Sequence, residues 1–206
     1  MRINSNTCVL GKSVILVPYR AEHVPRYHEW MRDPHLQQTT ASEPLTMDEE
    51  YEMQRSWAED EDKLTFIVLD RSLPDTSGTG SHGGAMAGDV NLFFTLGGEE
   101  EEAAGGRQSA EIEVMIAELA SRGKGLAKEA LRLLMAYATR ELGVKRYVAK
   151  IHEVNQPSRS LFEGLGFTEF RRVPVFGEVH YELQVSKSVD CWLCALQDSL
   201  VYGSYD

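Results

Sequence analysis

Glu118–Leu131 reads ELASRGKGLAKEAL, a short glycine-rich turn that runs directly into a helical pattern. Small residues let a backbone approach a ligand closely, and the first amides of a helix can bind an anion such as a phosphate. A helix that simply begins after a glycine-containing turn would have the same residues and would bind no ligand. The spacing of the glycines is therefore the first test of what this segment binds.

Neither of the common nucleotide-binding spacings fits. A P-loop needs G-x-x-x-x-G-K-[ST], but no glycine lies five residues ahead of Gly123, and Gly125 follows the lysine in place of Ser or Thr. A dinucleotide fingerprint counted from Gly123 puts Lys128 at its third small position, where close helix–strand packing would reject a long charged side chain. The spacing that does fit is Arg/Gln-x-x-Gly-x-Gly/Ala, met by Arg122, Gly125 and Ala127.

Apolar periodicity and turn signals around this segment predict a mixed α/β domain. Strands are predicted at Ser13–Pro18, Leu64–Leu69, Ala85–Leu96, Ala110–Ala117, Arg146–Ile151, Phe167–Val173 and Val179–Ser186. Helices are predicted at Ala21–Arg32, from a capping box at Thr46–Glu49 to Trp57, from Leu126 to a C-cap at Gly143, and at Gln156–Gly164. Because the second, third and fourth strands follow one another without a helix, we expect a mostly antiparallel sheet of about seven strands, flanked by about four helices.

The length of 206 residues suits one domain, which we place at residues 1–186. Flexible loops are predicted at 73–84 and 97–109, and the second contains the acidic run GGEEEEAAGG. Residues 187–206 are predicted to form a C-terminal helix and a tail. Cys191 and Cys194 make a single C-x-x-C in it, but no second pair and no ligand-like histidine spacing accompany them, so no metal is expected.

Charge and hydropathy limit the possible partners. The net charge of −11, without any basic stripe, argues against nucleic-acid binding and leaves room for a cationic substrate such as an amine. No segment approaches the roughly 20 apolar residues of a membrane span. The N-terminus lacks the apolar stretch of a signal peptide, so we expect a cytoplasmic or nuclear protein.

A second motif follows on the C-terminal side of the loop. The predicted strand Arg146–Ile151 is followed by Asn155, Ser158, Phe162 and Gly166-Phe167, matching N-x-x-[AS]-x-x-x-[YF]-x-x-x-G-F. With the R-x-x-G-x-G/A loop before it, the chain resembles the GNAT acetyltransferase superfamily over most of its length. More closely, RINSNT, VLGKSVILVPY, HVPRYHEWM and ASEPLT are similar to the tubulin N-acetyltransferase-like branch of that superfamily.

This resemblance implies a single GNAT domain in which acetyl-CoA lies in an opening between the fourth and fifth predicted strands. It implies that backbone groups of Met115, Ile116 and Ala117 hold the pantetheine. It also implies a pyrophosphate wrapped by Arg122, Gly123, Lys124, Gly125, Leu126 and Ala127, and a second arm formed by Asn155, Ser158 and Phe162. The acetyl group passes directly to an amine, so no covalent nucleophile is needed. Tubulin and microtubules are the implied partners.

The amine has to lose a proton before it attacks, since a lysine amine has a reference pKa near 10.4 and an α-amine one near 8. Glu111 and Glu113 project from one face of a predicted strand. Members of the superfamily that act on histones carry their general base within a similar A-E-I, so the resemblance favours Glu111, with Glu113 as the alternative. Both could also be solvated residues on a half-exposed strand. Phe162 stands where many members carry an acid tyrosine. The acid is then another residue, with Tyr19, Tyr147 and Tyr181 as unranked candidates, or water, or none is needed because the CoA thiolate is a tolerable leaving group near neutral pH.

Three functions are compatible with the sequence. The first is an acetyl-CoA-dependent N-acetyltransferase that acts on the N-terminal α-amine of a protein, with tubulin implied by resemblance. The second is a small-molecule amine acetyltransferase, because residues 20–60, which we expect to shape the acceptor site, do not distinguish a peptide from a small amine. The third is a fold that binds acyl-CoA or a partner without turnover. Phe162 in place of tyrosine favours this third function, and the intact loop argues against it.

Overall fold

The computed structural model describes residues 2–40, 42–75, 83–94, 108–185 and 192–205. Nine strands lie in these ranges: β1 (Thr7–Leu10), β2 (Val14–Pro18), β3 (Lys63–Asp70), β4 (Ala85–Phe93), β5 (Ser109–Ile116), β6 (Arg146–His152), β7 (Thr168–Val173), β8 (Glu178–Gln184) and β9 (Val201–Ser204). Six α-helices lie in them: α1 (Val24–Trp30), α2 (Pro34–Thr39), α3 (Met47–Glu59), α4 (Leu126–Leu142), α5 (Gln156–Glu163) and α6 (Trp192–Asp198). Most of the two predicted loops, the whole acidic run and Cys191 lie outside the described residues.

The nine strands of the described residues form one mixed sheet in the order β7-β8-β6-β5-β4-β3-β2-β1-β9. β5 and β6 are parallel, whereas β1–β2, β2–β3, β1–β9, β6–β8 and β7–β8 are antiparallel. The predicted α/β class is confirmed, with nine strands and six helices in the described ranges in place of about seven and about four. The unpredicted strands β1 and β9 have four residues each, too few for a periodic pattern to be recognised.

The helical region before β3 is more divided than predicted. The segment Ala21–Arg32 forms a 3-10 turn followed by α1, and a further helix begins at Pro34. Asp33 caps that helix by accepting a backbone N–H at 2.8 Å, and proline suits the first turn. Asp33 and Pro34, which directly follow the predicted helix Ala21–Arg32, therefore start a second helix. The capping box of Thr46 and Glu49 is confirmed.

By its contacts the chain divides into two compact units. The first comprises residues 1–91, 114–133 and 200–206, and the second comprises residues 92–113 and 134–199. The first unit holds α1, α2 and α3 with β1, β2, β3 and β9, so the predicted C-terminal tail contributes a strand to it. The second unit holds β6, β7, β8, α5 and α6, while β4, β5 and α4 have residues in both. Among the described residues, no helix is both long and apolar enough to cross a bilayer.

A buried histidine ties the end of the chain to the first unit. β9 pairs with β1, and the buried Tyr205 follows it, with its hydroxyl 3.0 Å from Nε2 of His23. Nδ1 of His23 accepts the N–H of Arg20 at 2.9 Å, so the proton of the neutral ring is on Nε2 and is donated to Tyr205. The Tyr205 hydroxyl in turn donates to Glu22 at 2.9 Å. Burial lowers the pKa of His23 to about 4, although the Glu22 charge opposes this shift.

We therefore expect the free energy of unfolding to fall as the pH drops from about 6.5, the reference pKa of histidine, towards about 4. The folded pKa lies below the unfolded one, so the unfolded chain takes up the proton first and the stabilisation is complete only above the unfolded pKa. The loss at the low end is about 3 kcal/mol, from the 1.36 kcal/mol that accompanies each pKa unit. Denaturant unfolding across this range measures it. His23→Gln should flatten the dependence and the exposed His35→Gln should keep it; equal slopes in the two variants would contradict the assignment.

Candidate functional site

The glycine segment forms an open turn between β5 and α4. Gly123 and Gly125 have φ angles of 73° and 79°, in the left-handed region that favours glycine. A Cβ atom added at either position would meet no atom within 4 Å. The two glycines are therefore required by the backbone conformation, and the space beside them is open to a ligand.

The backbone amides of this segment are available to such a ligand. Within the described chain, no hydrogen bond uses the amides of residues 123–128; the next one runs from Glu129 N to Gly125 O, at 3.2 Å. Left-handed residues in a loop turn successive N–H groups towards one concavity that suits an anion. The dipole of α4, which is 17 residues long, adds partial positive charge at the same end. The arrangement suits a pyrophosphate, the ligand that the family resemblance implies here, and its binding stays a prediction.

A buried carboxylate, which the sequence patterns did not identify, holds the loop in place. Asp70 ends β3 with no exposed area and accepts hydrogen bonds from the Ser121 hydroxyl at 2.8 Å and the Lys124 ammonium at 3.0 Å. Ser72 donates its hydroxyl and its backbone N–H to the same side chain. Burial raises the pKa of Asp70, but these hydrogen bonds outweigh it and hold the pKa at about 2. The carboxylate therefore stays ionised, and Lys124 is bound to the protein beside the loop.

Two further contacts join the loop to its neighbours. The Arg122 guanidinium donates to the carbonyls of Ile116 at 2.8 Å and Ala117 at 3.2 Å. Glu118 accepts the indole N–H of Trp30 in α1 at 2.6 Å. The Arg122 side chain turns back onto the end of β5, and the backbone N–H of Arg122 donates to the Leu119 carbonyl at 3.2 Å, so this residue shapes the turn and leaves the open side to the amides that follow it.

The end of β5 also depends on a glycine in β4. A Cβ atom at Gly88 would lie 1.8 Å from the Met115 carbonyl oxygen, closer than any side chain allows. The N–H of Glu118 donates to the Ala87 carbonyl at 3.1 Å just beyond this contact. Met115 and Ala117 are buried and Ile116 is half-buried. The predicted pantetheine-binding residues therefore lie at the end of β5. This end can lie so close to β4 only because β4 has a glycine, Gly88, at the contact.

The second predicted arm lies in the second unit. Asn155 caps α5, and its side chain accepts the N–H of Ser158 at 3.2 Å. Phe162 is buried and packs edge-to-face on Phe167, with 5.0 Å between ring centroids. The packing explains why phenylalanine is accommodated at this position. Contact of these three residues with a cofactor stays a prediction.

The two carboxylates predicted as bases differ in their surroundings. Glu111 pairs with the Lys150 ammonium of β6 at 2.6 Å, and its side chain is 16% exposed, whereas Glu113 is exposed. The parallel ladder between β5 and β6 ends at the pair Glu111–Val148. Lys150 was not identified from the sequence, because it lies on a neighbouring strand and far along the chain. Its partner oxygen is Oε2 of Glu111.

The three tyrosines considered as acids are all buried. Tyr147 donates to a backbone carbonyl at 2.9 Å, and Tyr181 lies between the Arg159 guanidinium and the Glu163 carboxylate. Both hydroxyls are thus bonded within the protein. The Tyr19 hydroxyl differs, since it is buried and has no hydrogen-bond partner among the residues that the structure describes.

In the part of the chain that the structure describes, no group of three or more His, Cys, Asp or Glu side chains could hold a metal ion. Cys8 is buried in the apolar core of the first unit.

Comparisons with known proteins agree with this geometry. The chain matches the family model described as acetyltransferase (GNAT) domain over residues 13–168. It is 50% identical over 179 residues to an N-acetyltransferase 9-like protein of Nematostella vectensis, covering 87% of this chain and 86% of that protein. It is 49% identical over 194 residues to alpha/beta-tubulin-N-acetyltransferase 9 of Homo sapiens, covering 94% and 90%. Spermidine N-acetyltransferase from Vibrio cholerae, solved with CoA and spermine, shares the fold with a TM-score of 0.66 at 17% identity, covering 84% and 96%.

Asp70→Asn should weaken acetyl-CoA binding by about tenfold or more, because hydrogen bonds to a charged group contribute about 1.5–3 kcal/mol each. The amide keeps the size of the side chain but loses the charge that holds Lys124 and, through it, the loop. Calorimetric titration with acetyl-CoA measures the change, and Asp48→Asn on the exposed side of α3 is the matched control. Equal affinities of the two variants would show that Asp70 does not shape the loop.

Proposed function

The chain belongs to the GNAT acetyltransferase family, and we propose that its acceptor is the N-terminal α-amine of a protein, with tubulin as the candidate. It is an N-acetyltransferase whose donor is acetyl-CoA. The observation that supports a protein acceptor is the 49% identity, over 94% of this chain, to a human relative named for α/β-tubulin. Because this chain and tubulin are both acidic, recognition has to rest on local contacts and not on long-range attraction.

The loop supports acetyl-CoA as the donor through its backbone. Residues 123–128 would hold the pyrophosphate with amides that have no other acceptor in the described chain. Asp70 holds the Lys124 ammonium at 3.0 Å and balances its charge, so the attraction for the phosphates comes from the backbone amides and the dipole of α4. Met115 to Ala117 would hold the pantetheine, as the family resemblance implies. Acetyl-CoA itself supplies the thioester carbonyl that the amine attacks.

The acceptor amine has to be neutral to attack, and an α-amine with a reference pKa near 8 is mostly protonated at neutral pH. We propose that Glu111 takes up this proton. An ionised carboxylate has two oxygens with about four lone-pair sites. Lys150 uses Oε2 of Glu111 and leaves Oε1 to accept from the amine. The thiolate of CoA is a tolerable leaving group near neutral pH, so a proton donor at Phe162 is not required.

Peptides with a free N-terminus should be acetylated, and the same peptides with a blocked N-terminus should not. The test uses a peptide of the tubulin N-terminal sequence and its N-acetylated form, with release of CoA as the readout. The loop variant Gly125→Trp should abolish both acetyl-CoA binding and turnover, because any side chain there is strained and covers the open side of the loop. Equal turnover of the free and blocked peptides would reject the α-amine acceptor.

Glu111→Gln should lower kcat by about 10²–10⁴-fold, the usual contribution of general base catalysis, while Glu113→Gln has a small effect. The neutral amide keeps the shape of the side chain but cannot take up a proton. Rates of CoA release measured between about pH 6 and 8 with acetyl-CoA in excess separate this effect from binding. If Glu113→Gln lowers the rate and Glu111→Gln does not, Glu113 is the base.

A further inference from the structure

Glu118 lies between the two stretches of backbone that we expect to contact acetyl-CoA. Met115–Ala117 come directly before it, and the open amides of residues 123–128 begin five residues after it. Its N–H donates to the Ala87 carbonyl at 3.1 Å, and its carbonyl accepts the N–H of Ser121 at 3.0 Å. The backbone of Glu118 is therefore fixed between β4 and the start of the loop. No step of the proposed reaction uses its side chain.

That side chain is bound by the first helix. Oε1 of Glu118 accepts the indole N–H of Trp30 at 2.6 Å and a guanidinium N–H of Arg26 at 2.5 Å. Arg26 and Trp30 are four residues apart, so they lie on the same face of α1. Hydrogen bonds with an ionised partner are about twice as strong as neutral ones, and the Glu118 side chain is only 23% exposed. A single carboxylate oxygen therefore holds α1 through two donors.

The other contacts of α1 with this region are less directional. Tyr27 and Trp30 belong to the same buried core as Met115 and Ala117, so α1 and the end of β5 share apolar packing. Such packing is non-directional and does not by itself choose one rotation of the helix. The Tyr27 hydroxyl is 3.3 Å from the Asp89 carboxylate, longer than a good O–H···O hydrogen bond. The two short, charged bonds therefore set the position of α1.

We propose that Glu118 is a positioning residue that ties α1, a helix of the expected acceptor region, to the acetyl-CoA site. In the proposed function the backbone on both sides of Glu118 holds acetyl-CoA, so this residue moves least when the cofactor is bound. Trp30 and Arg26 then hold α1 in the place that Glu118 gives it. The inference rests on the proposed function for the acceptor, because α1 lies in the segment 20–60 that we expect to shape the acceptor site.

The consequence is an acceptor region that is most ordered when acetyl-CoA is already bound. Binding that restricts α1 lowers the cost of ordering that remains for the acceptor, so the two ligands favour each other without a new contact between them. Couplings between two sites usually change an affinity by about 5- to 150-fold. Loss of the Glu118 carboxylate should therefore weaken acceptor binding to the acetyl-CoA-bound chain and leave acetyl-CoA binding to the free chain unchanged.

The first test uses acetyl-CoA and needs no acceptor. Amide hydrogen exchange of the full chain is measured by mass spectrometry with and without saturating acetyl-CoA. Exchange of the α1 amides should slow by about fivefold more than that of the β1 amides, which report any general stabilisation. Glu118→Ala should remove this extra slowing at α1 and keep the slowing at residues 123–128, which shows that acetyl-CoA still binds. A merely structural contribution of Glu118 would instead speed exchange at α1 equally with and without acetyl-CoA.

Two further variants complete this test. Glu29→Gln is the matched control, because Glu29 binds the same Arg26 guanidinium on the exposed side of α1. Glu118→Gln keeps an acceptor for the indole N–H and loses the charge, so it should lose part of the extra slowing. Thermal unfolding confirms that the Glu118 variants are folded. An undiminished α1 response in Glu118→Ala, or an equal loss in Glu29→Gln, would overturn the proposal.

The second test measures the acceptor. With the free-N-terminus peptide as substrate and CoA release as the readout, Glu118→Ala should raise the peptide KM by about fivefold or more and leave kcat unchanged. This split is expected for a residue that serves binding of the acceptor and not the chemical step. An unchanged peptide KM at normal turnover would overturn the proposal.

The two tests separate the inference from the proposed function. Loss of the acetyl-CoA-dependent slowing at α1 in Glu118→Ala, without turnover of the free peptide by the unaltered chain, supports the tie and rejects the α-amine acceptor. Turnover of the free peptide with an undiminished α1 response in Glu118→Ala supports the proposed function and rejects the tie.

Discussion

The open loop depends on keeping the amides of residues 123–128 free of partners inside the protein. Asp70 achieves this from another strand, because its buried carboxylate binds Ser121 and Lys124 and so fixes both ends of the turn. Arg122 is occupied with the carbonyls at the end of β5. The side chains that could have folded over the amides are thus held elsewhere. The anion site that we propose is therefore formed by a backbone whose shape is imposed by a residue distant in sequence.

Three carboxylates show how surroundings decide the role of one functional group. The Asp70 carboxylate accepts several hydrogen bonds from the protein and stays ionised, so it is suited to a structural role. Glu111 is paired with Lys150 through one oxygen, and we propose that its other oxygen takes up the proton of the acceptor amine. Glu50 is buried and lies beside His28, with 3.6 Å between its Oε1 and Nδ1 of the imidazole. Hydrogen-bond partners separate the three roles more sharply than burial does, since Asp70 and Glu50 are both buried.

Local patterns predicted the parts of the fold whose signals lie close together in sequence. The capping box before α3 and the glycine that ends α4, Gly143 with a φ of 71°, are examples, because each is formed by residues within one turn. Patterns failed for β1 and β9, which are too short to show a period; β1 is defined by its pairing with β2 and β9, and β9 by its pairing with β1. They also failed at Asp33 and Pro34, because these two residues end one helix and start the next.

The sequence alone determined that the chain has a GNAT loop, because the glycine spacing and the helix that follows it are local properties. A backbone with positive φ requires glycine at such positions. It also indicated which strand carries the two candidate bases. Only the tertiary structure decided what those side chains meet. The pairs Asp70–Lys124 and Glu111–Lys150 join residues far apart along the chain, as does the contact of His28 with Glu50. Such pairs are set by sheet order and helix packing, and no local spacing encodes them.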